Sequence, residues 1–564
     1  MKKRIIASIL TVIMLMTMLP TAAFAADGAS ENTYGVSTAE ELSTALTQIA
    51  TSADTEATIV LKADITLPND GGSGYIASFG VDGKHITVKS DEGEMKKLSF
   101  SSYGVLTGDC TFDNVNVTGS RLFCNGYRTI FTENGQIHLS ETLYGGGYKT
   151  TVDSTHVVIA ASGYINPSSS SGLHDVIGGS YQGSVKGDTY LEITGDIKMM
   201  GGNHLNPGCV KGDGTSGYAT NIQDVYVGGN ATLIYDNKNS TASPSIEGTY
   251  GCEMRGNVTL DIRSGRANEI CGTQEFVDTS IIRGDLHIIA GSPDYENTDR
   301  TLRLNDNWPI VGAGNRFAAD PDAVGNYTVG GDITIDTYEN VWAWDKGTEP
   351  DSDDLPNIYG ALRGDVGGSI TINVHGSHVE DITGADHSNV TGNVTINAVD
   401  AELKNSDYDT EYDEGDILAN YKSTVTGKCA INVDGGDVNI IQLTSFEQIN
   451  EGSQITITGS PKIRTGVVST SNEDTTPENV AVTLTDCTAT IPFIQSSTHT
   501  YVTNNSDVKL NGLWLTGSLT VDEGSILQTD DLQDMELSGN VVVNGTWNSF
   551  LPTAREQRPM MSRL

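Results

Sequence analysis

The chain has 564 residues and a formal net charge of −40, with 73 acidic residues against 33 Lys and Arg. A surface with this charge repels nucleic acid and anionic lipid, because both are polyanions, so these two classes of partner are excluded. Gly is abundant (63 residues) and Pro is sparse (15), a composition typical of short strands joined by tight turns.

The first 25 residues have the pattern of a secretory signal peptide. Met1–Arg4 is basic, Ile5–Leu19 is an apolar run, and Ala23–Ala25 has the small residues of a cleavage site. The run is too short to cross a bilayer, and no later segment is long and apolar enough to do so. We therefore expect an exported protein, secreted or held at the cell surface, whose mature chain begins at Ala26.

Residues 26–50 are predicted to form an N-terminal cap that contains one helix, Ser37–Ile49. Ser37 and Glu40 have the spacing of a capping box. The apolar stripe of this helix consists of Leu42, Ala45, Leu46 and Ile49. We expect the helix to cover the first turn of the body and to insert Leu42 and Leu46 into it.

Residues 51–549 repeat one pattern: a Gly, a polar residue, a run that alternates apolar and polar side chains, and a small or polar corner. In the copy that starts at Gly368, the side chains of Ile370, Ile372 and Val374 would face the core. Other copies begin at Gly187, Gly256, Gly284, Gly331, Gly392, Gly427, Gly452 and Gly539. The shortest intervals are roughly two dozen residues, too long for a hairpin array with turns every ~8–12 residues.

This spacing predicts coils of two or three strands that return and stack on one another. A single coil buries too few aliphatic side chains to offset the entropy of ordering it, so neighbouring coils must shield each other. The predicted fold class is all-β: a right-handed parallel β-helix with a short N-terminal capping helix. A less regular β-solenoid or a pair of β-sandwiches is the alternative.

Two segments carry a resemblance to known proteins. Val36–Leu46, followed by Ala57–Leu67, is similar to the N-terminal start of secreted pectate-lyase-like right-handed parallel β-helix proteins. The Gly-Asn-Val-Thr-Ile copies resemble the coils of adhesin-like surface proteins of Gram-positive gut bacteria. The resemblance covers nearly the whole mature chain and implies the architecture. It says less about activity, because this fold hosts lyases, hydrolases, adhesins and passive stalks.

A resemblance to polygalacturonase-like hydrolases supplies candidate catalytic residues. The similar motifs are Asn297–Asp299, Asp353–Asp354, His375–Gly376 and Lys462–Arg464. It implies that Asp299 and either Asp353 or Asp354 would be the acid and base, with His375 assisting. The basic motif is reversed, and Asp299 and Asp353 are about two coils apart where one is needed. We predict a non-enzymatic protein, with a polysaccharide hydrolase or lyase as the alternative.

His375 and His378 raise the question of a metal site. Strand alternation places His375 outward beside Gly376, whereas His378 opens the next strand, so the corner between them would splay the rings apart. A metal site also needs a third ligand that converges on the same point. We expect two surface histidines.

Outward strand positions repeat Thr, Asn and Asp, a set of polar groups that suits sugar hydroxyls and water alike. Aromatic residues are candidates for stacking on sugars, with inward packing as the alternative. The candidate binding residues are Thr371, Asn373, Thr395, Asn397, Trp342 and Trp344. We predict an adhesin-like protein whose partners are extracellular glycans or host matrix; a passive stalk is a further alternative.

The densest acidic run, Ser406–Asp416, is the one candidate for a cofactor, and that cofactor would be calcium. Its candidate ligands are Asp407, Asp409, Glu411 and Asp413. The glycine is misplaced for a helix-loop-helix calcium loop, so a solvated loop with no cofactor is the leading interpretation.

The seven cysteines are an odd and sparse set, which predicts single buried thiols, with a Cys252–Cys271 bridge as the alternative.

Residues 550–564 are basic and rich in methionine, unlike the acidic body. We expect this tail to mark a truncated C-terminus.

Overall fold

The computed structural model describes residues 32–69, 76–101, 103–166, 176–199, 204–210, 225–238, 243–273, 280–296, 298–304, 309–314, 327–342, 357–403, 415–445, 450–470, 480–529 and 535–549. Over these residues the chain winds into successive coils, and each strand pairs in parallel with strands of the coils before and after it. The predicted parallel β-helix is therefore confirmed. None of the helical segments in the described ranges has the length and apolar character of a membrane-spanning helix.

One α-helix, α1 (Ala39–Thr51), and a 3-10 turn, Pro293–Tyr295, accompany the strands. The strands of the first half are β1 Thr33–Val36, β2 Glu56–Leu61, β3 Ile65–Leu67, β4 Ile76–Phe79, β5 His85–Ser90, β6 Lys96–Phe100, β7 Tyr103–Leu106, β8 Asp109–Asp113, β9 Val115–Gly119, β10 Arg121–Phe123, β11 Thr129–Phe131, β12 Gln136–Leu139, β13 Leu143–Tyr144, β14 Thr155–Ile159, β15 Ser162–Ile165, β16 Val176–Ile177, β17 Thr189–Ile193, β18 Ile197–Lys198, β19 His204–Asn206, β20 Tyr226–Val227, β21 Ala231–Asp236, β22 Ser245–Glu247, β23 Glu253–Met254, β24 Val258–Ala267, β25 Glu269–Cys271, β26 Ser280–Ile282 and β27 Leu286–Ala290. Those of the second half are β28 Leu302–Leu304, β29 Ile310–Gly314, β30 Tyr327–Val329, β31 Ile333–Tyr338, β32 Val341–Trp342, β33 Ile358–Leu362, β34 Asp365–Val366, β35 Ile370–His375, β36 His378–Val379, β37 Ile382–Asp386, β38 Asn389–Val390, β39 Val394–Val399, β40 Glu402–Leu403, β41 Ile417–Tyr421, β42 Thr424–Val425, β43 Cys429–Asp434, β44 Asp437–Thr444, β45 Gln454–Gly459, β46 Lys462–Thr470, β47 Ala481–Gln495, β48 His499–Thr503, β49 Asp507–Thr516, β50 Ser518–Val521, β51 Ile526–Thr529, β52 Met535–Leu537, β53 Val541–Val543 and β54 Thr546–Ser549.

The front sheet takes the first strand of each coil. In stacking order it contains β1, β2, β5, β8, β11, β14, β17, β21, β24, β27, β31, β35, β39, β43, β45, β47, β48, β50 and β53. A second stack runs from β4 to β54 and joins the front sheet through the long strands β24 and β47. Two shorter sheets, from β3 to β18 and from β20 to β42, complete the coils.

The core lies inside the coils and is built from the alternation that the repeat predicts. Ile370, Ile372 and Val374 of β35 are fully buried, and the register stacks Ile370 on Val394 and Ile372 on Ile396 of β39. This contact joins residues 24 positions apart. The predicted 24-residue interval of this copy is therefore one coil, and each inward side chain is sheltered by its equivalents in the adjacent coils. The predicted minimum of about two dozen residues is wrong, because the coil from β47 to β48 is completed in 18 residues.

The polar residue that follows each repeat Gly forms a corner ladder. Its side-chain oxygen accepts the backbone N–H of the equivalent residue one coil later, as from Ser369 to Asp332 at 2.7 Å. The ladder runs through Asp188, Asn230, Asn257, Asp285, Asp332, Ser369, Asn393 and Lys428. Gly precedes this position because a Cβ on Gly368 would lie 2.7 Å from the backbone of Gly331. The repeat motif therefore encodes the contact between neighbouring coils.

The helix α1 lies at the N-terminal end, as predicted, with a shift at its start. Thr38 is the N-cap, and its hydroxyl accepts the N–H of Glu41 at 3.1 Å, while the Ser37 N–H donates to the Glu41 carboxylate at 2.6 Å. The predicted capping box of Ser37 and Glu40 is therefore wrong by one residue, because Thr38 carries the hydroxyl that reaches the third N–H of the helix. The buried residues of the stripe are Leu42, Ala45 and Ile49. Leu46 is only partly buried, because it packs on the rim of this core.

Candidate functional site

Three successive corners of the front sheet enclose a cleft of about 440 Å³. The corners follow β31, β35 and β39, and Pro293 of the 3-10 turn forms part of the wall together with the two residues that flank the turn, Ser292 and Glu296. We term it the His375 cleft. Its titratable lining consists of Tyr338, His375, His378, Glu296, Glu339, Asp400 and Glu402. The copy of the repeat that carries the two histidines therefore forms part of a concave surface.

Tyr338 and His375 occupy equivalent outward positions on β31 and β35. Their rings stack with centroids 5.3 Å apart and planes at 18°. His375 is exposed, so its predicted outward direction is confirmed. Burial and the nearby Asp336 raise the pKa of Tyr338, which keeps its hydroxyl protonated at neutral pH as a hydrogen-bond donor. This pair gives the cleft an aromatic surface with a polar edge.

His378 differs from the sequence-based expectation. It is buried rather than on the surface, because its ring stacks on Trp342 with centroids 3.8 Å apart and its Nδ1 lies 3.1 Å from a carboxylate oxygen of Glu402. His375 and His378 nevertheless line the same cleft, and their rings stack on different partners, Tyr338 and Trp342. Trp342 is half-buried behind His378, and it does not itself line the cleft.

The electrostatics of the His375 cleft favour some ligand classes over others. Four carboxylates line it, and the described lining residues include no Lys or Arg. Anionic ligands such as uronates are therefore disfavoured. Carboxylates accept hydrogen bonds from hydroxyl groups, and aromatic faces accept apolar C–H surface. The combination is chemically suited to a polyol with one apolar face.

The Asn side chains predicted to bind ligand are engaged with one another in an amide ladder. Asn373 Nδ2 donates to Asp336 at 2.7 Å, Asn397 Nδ2 donates to Asn373 at 2.7 Å, and Asn432 Nδ2 donates to Asn397 at 2.8 Å. These amides lie on the outer face, as expected, but Asn373 and Asn397 each use one donor and one acceptor to join the coils. Their main role is to join neighbouring strands of the front sheet through side-chain hydrogen bonds.

Thr371 and Thr395 form a second outward column beside the amide ladder. They are half-buried and stack in register on neighbouring strands, together with Thr334. Within the described residues, no hydrogen bond engages these hydroxyls. They therefore remain open to water or to a ligand, unlike the adjacent amides.

A smaller depression of about 340 Å³ lies at the opposite end of β31. We term it the His287 depression. Its polar lining consists of Asn257, Thr259, Asp285, His287, Asp332 and Thr334. His287 Nε2 lies 2.6 Å from a carboxylate oxygen of Asp336. Burial opposes ionisation of Asp336, but the hydrogen bonds from His287 and Asn373 outweigh it and lower the pKa of this carboxyl.

The described residues do not assemble the hydrolase-like set. Asp299 is exposed beyond the 3-10 turn and does not line the cleft to which His375 belongs. Asp353 and Asp354 lie outside the described residues, as does Trp344. The arrangement of two carboxylates across one cleft therefore stays a hypothesis for these positions.

The calcium candidates Asp407, Asp409, Glu411 and Asp413 also lie outside the described residues. In the part of the chain that the structure describes, no three or more His, Cys, Asp and Glu side chains are grouped to hold a metal ion.

All seven cysteines are buried and unbridged, so single thiols are confirmed and the Cys252–Cys271 alternative is wrong. Burial raises the pKa of the Cys124 and Cys429 thiols to about 12, which keeps them protonated. The cysteines are therefore core residues and not nucleophiles.

Sequence reasoning missed a pair of coupled carboxylates, Asp381 and Asp416. Asp381 Oδ1 accepts the N–H of Asp416 at 2.7 Å, and Asp416 accepts from the amide of Asn439 at 2.8 Å. Burial, and then the charge of Asp381, raise the pKa of Asp416 to about 7. Both residues directly precede an Ile of the second stack, at Ile382 and Ile417, so an alignment of coils would have placed them together.

The fold and the cleft define a parallel β-helix protein with an acidic, aromatic-lined cleft on its front sheet. Comparison with protein-family models, curated proteins and solved structures finds no match to this chain. The resemblance to pectate-lyase-like and adhesin-like proteins therefore stays a prediction.

Proposed function

We propose that this chain is an exported, non-enzymatic surface protein that binds extracellular glycans or matrix in the manner of an adhesin. The observation that carries the proposal is the His375 cleft, where the Tyr338–His375 ring pair lies among four carboxylates. Sugar rings present hydroxyl donors at their edges and C–H groups on their faces, which match the carboxylates and the rings respectively.

Two features of the chain support this proposal over enzymatic activity. The charge of the body disfavours uronate substrates, and the described part of the hydrolase-like set is not gathered at one cleft. Burial, and then the charge of Asp381, account for the raised pKa of Asp416, and neither residue lines the His375 cleft.

The test is a glycan array probed with the full chain and with a Tyr338→Ala variant. We expect binding to neutral glycans that the variant loses by about tenfold or more. The matched control is Tyr501→Ala, because Tyr501 also lies on the front sheet and stacks on a histidine, His499, at 4.0 Å, but lies outside the cleft. An array with no bound glycan would favour a passive stalk, and release of reducing sugar from a bound glycan would favour a hydrolase.

A further inference from the structure

The two concavities of the front sheet share one strand. Thr334, at the start of β31, lines the His287 depression, and Tyr338, at its end, lines the His375 cleft. Both side chains point outward, four residues apart, so they are separated by about 13 Å along the strand. One ligand that lies across the outer face of β31 could therefore contact both.

The surface between the two concavities is polar. Asp336 lies midway on the same face, and its carboxylate is held by His287 at 2.6 Å and by Asn373 at 2.7 Å. These contacts keep the side chain down on the sheet instead of projecting from it. The floor that joins the depression to the cleft is thus fixed by hydrogen bonds within the protein.

The chemistry of the two concavities is also continuous. Asp285 and Asp332 line the depression, four carboxylates line the cleft, and the described lining residues of both include no Lys or Arg. The corner ladder uses one oxygen of Asp285 and one of Asp332 for backbone N–H groups. The second oxygen of each carboxylate remains as an acceptor for hydroxyl groups.

We infer that the His287 depression and the His375 cleft are two subsites of one site, which takes a linear, uncharged oligosaccharide laid along β31. This inference rests on the proposed glycan-binding function and adds the length and shape of the ligand. A flat sheet face matches a flat, ribbon-like chain, so β-1,4-linked sugars are the class that it fits. A branched or anionic glycan would lose one of the two subsites.

The experiment is a calorimetric titration of the full chain with cello-oligosaccharides and N-acetylchito-oligosaccharides of increasing length. We expect an affinity gain of about tenfold when the chain becomes long enough to reach both concavities. Thr334→Arg should fill the depression and return the long ligands to the affinity of the short ones, without changing the short ones. Thr87→Arg is the matched control, because Thr87 is an outward, half-buried Thr on β5 of the same sheet.

The outcomes separate the two proposals. Binding that does not depend on ligand length, or that Thr334→Arg leaves unchanged for long ligands, overturns the two-subsite inference and leaves the glycan-binding proposal standing. Failure of all of these probes to bind overturns the two-subsite inference alone if the array finds another glycan, and overturns both if it finds none. An unchanged unfolding temperature of Thr334→Arg verifies that the variant is folded.

Discussion

Replacing Asp416 by Asn is expected to change how the stability of the protein depends on pH. The folded protein holds the pKa of Asp416 at about 7, because burial and the charge of Asp381 disfavour the carboxylate. An unfolded chain has the ordinary value of about 4. Between pH 4 and pH 7 the folded state binds a proton that the unfolded state has lost, so stability falls as the pH rises through this interval.

The size of the effect follows from the same values. The gap between about 4 and about 7 corresponds to at most about 4 kcal/mol. Asp381 shares this cost, so we expect the carboxylate of Asp416 to lower stability by about 2 kcal/mol above pH 7. The amide introduced by Asp416→Asn would be neutral at every pH, and its oxygen could still accept from the amide of Asn439.

The assay is calorimetric unfolding of the wild type and the Asp416→Asn variant from pH 4.5 to pH 8. We expect unfolding temperatures that differ by less than about 0.5 °C at pH 4.5, where only about a fifth of the effect is present, and a variant that is more stable by about 2 °C at pH 8, given the size of the chain. Glu523→Gln is the control, because Glu523 is exposed and its loss should shift neither end of the range. A variant that is equally stable at pH 8, or one that differs by the same amount at both pH values, would refute the reasoning.

Three further experiments test the architecture. Ile372→Ala should lower the free energy of unfolding by about 2–5 kcal/mol in a denaturant titration, because Ile372 is fully buried, whereas Thr371→Ala on the outward side should cost less than about 1 kcal/mol. Asn397→Ala should cost about 1–2 kcal/mol by breaking the amide ladder, and Asn397→Gln should not restore it; full stability of the Ala variant would show that the ladder adds nothing. Gly384→Ala should unfold at a lower temperature than the wild type, because its Cβ would lie 2.3 Å from the side chain of Val394; an unchanged midpoint would mean that the packing around Val394 can yield freely.

The coil and its inward face could be predicted because they depend on local alternation. In the copy that contains Ile370 and Ile372, each apolar residue is flanked by polar ones, and a strand has no other way to bury that set. The number of residues between successive copies of the repeat then predicts that each strand stacks on the equivalent strand of the next copy. The helix start was missed by one residue because Ser37 and Thr38 both carry a hydroxyl, and only the backbone geometry at Thr38 selects between them.

The candidate site could be predicted only in part, because it forms between coils. Outward positions such as Thr371 and Asn373 look alike in the sequence, but register gives Asn373 an amide or carboxylate partner in each adjacent coil and gives Thr371 none. The burial of His378 depends on Trp342, one coil earlier, and no local pattern indicates it. The coupling of Asp381 and Asp416 likewise depends on which residues the coils bring together.

The corner ladder makes each coil an interchangeable unit. Every rung is a side-chain oxygen that accepts a backbone N–H from the next coil, and a backbone N–H is the same for any residue except proline. Removing residues 368–391 would let Asn393 donate to Asp332 in place of Ser369, and duplicating them would insert one more rung of the same kind. A protein assembled in this way can change its length by whole coils, about 4.8 Å at a time, while the surfaces it presents at either end stay the same.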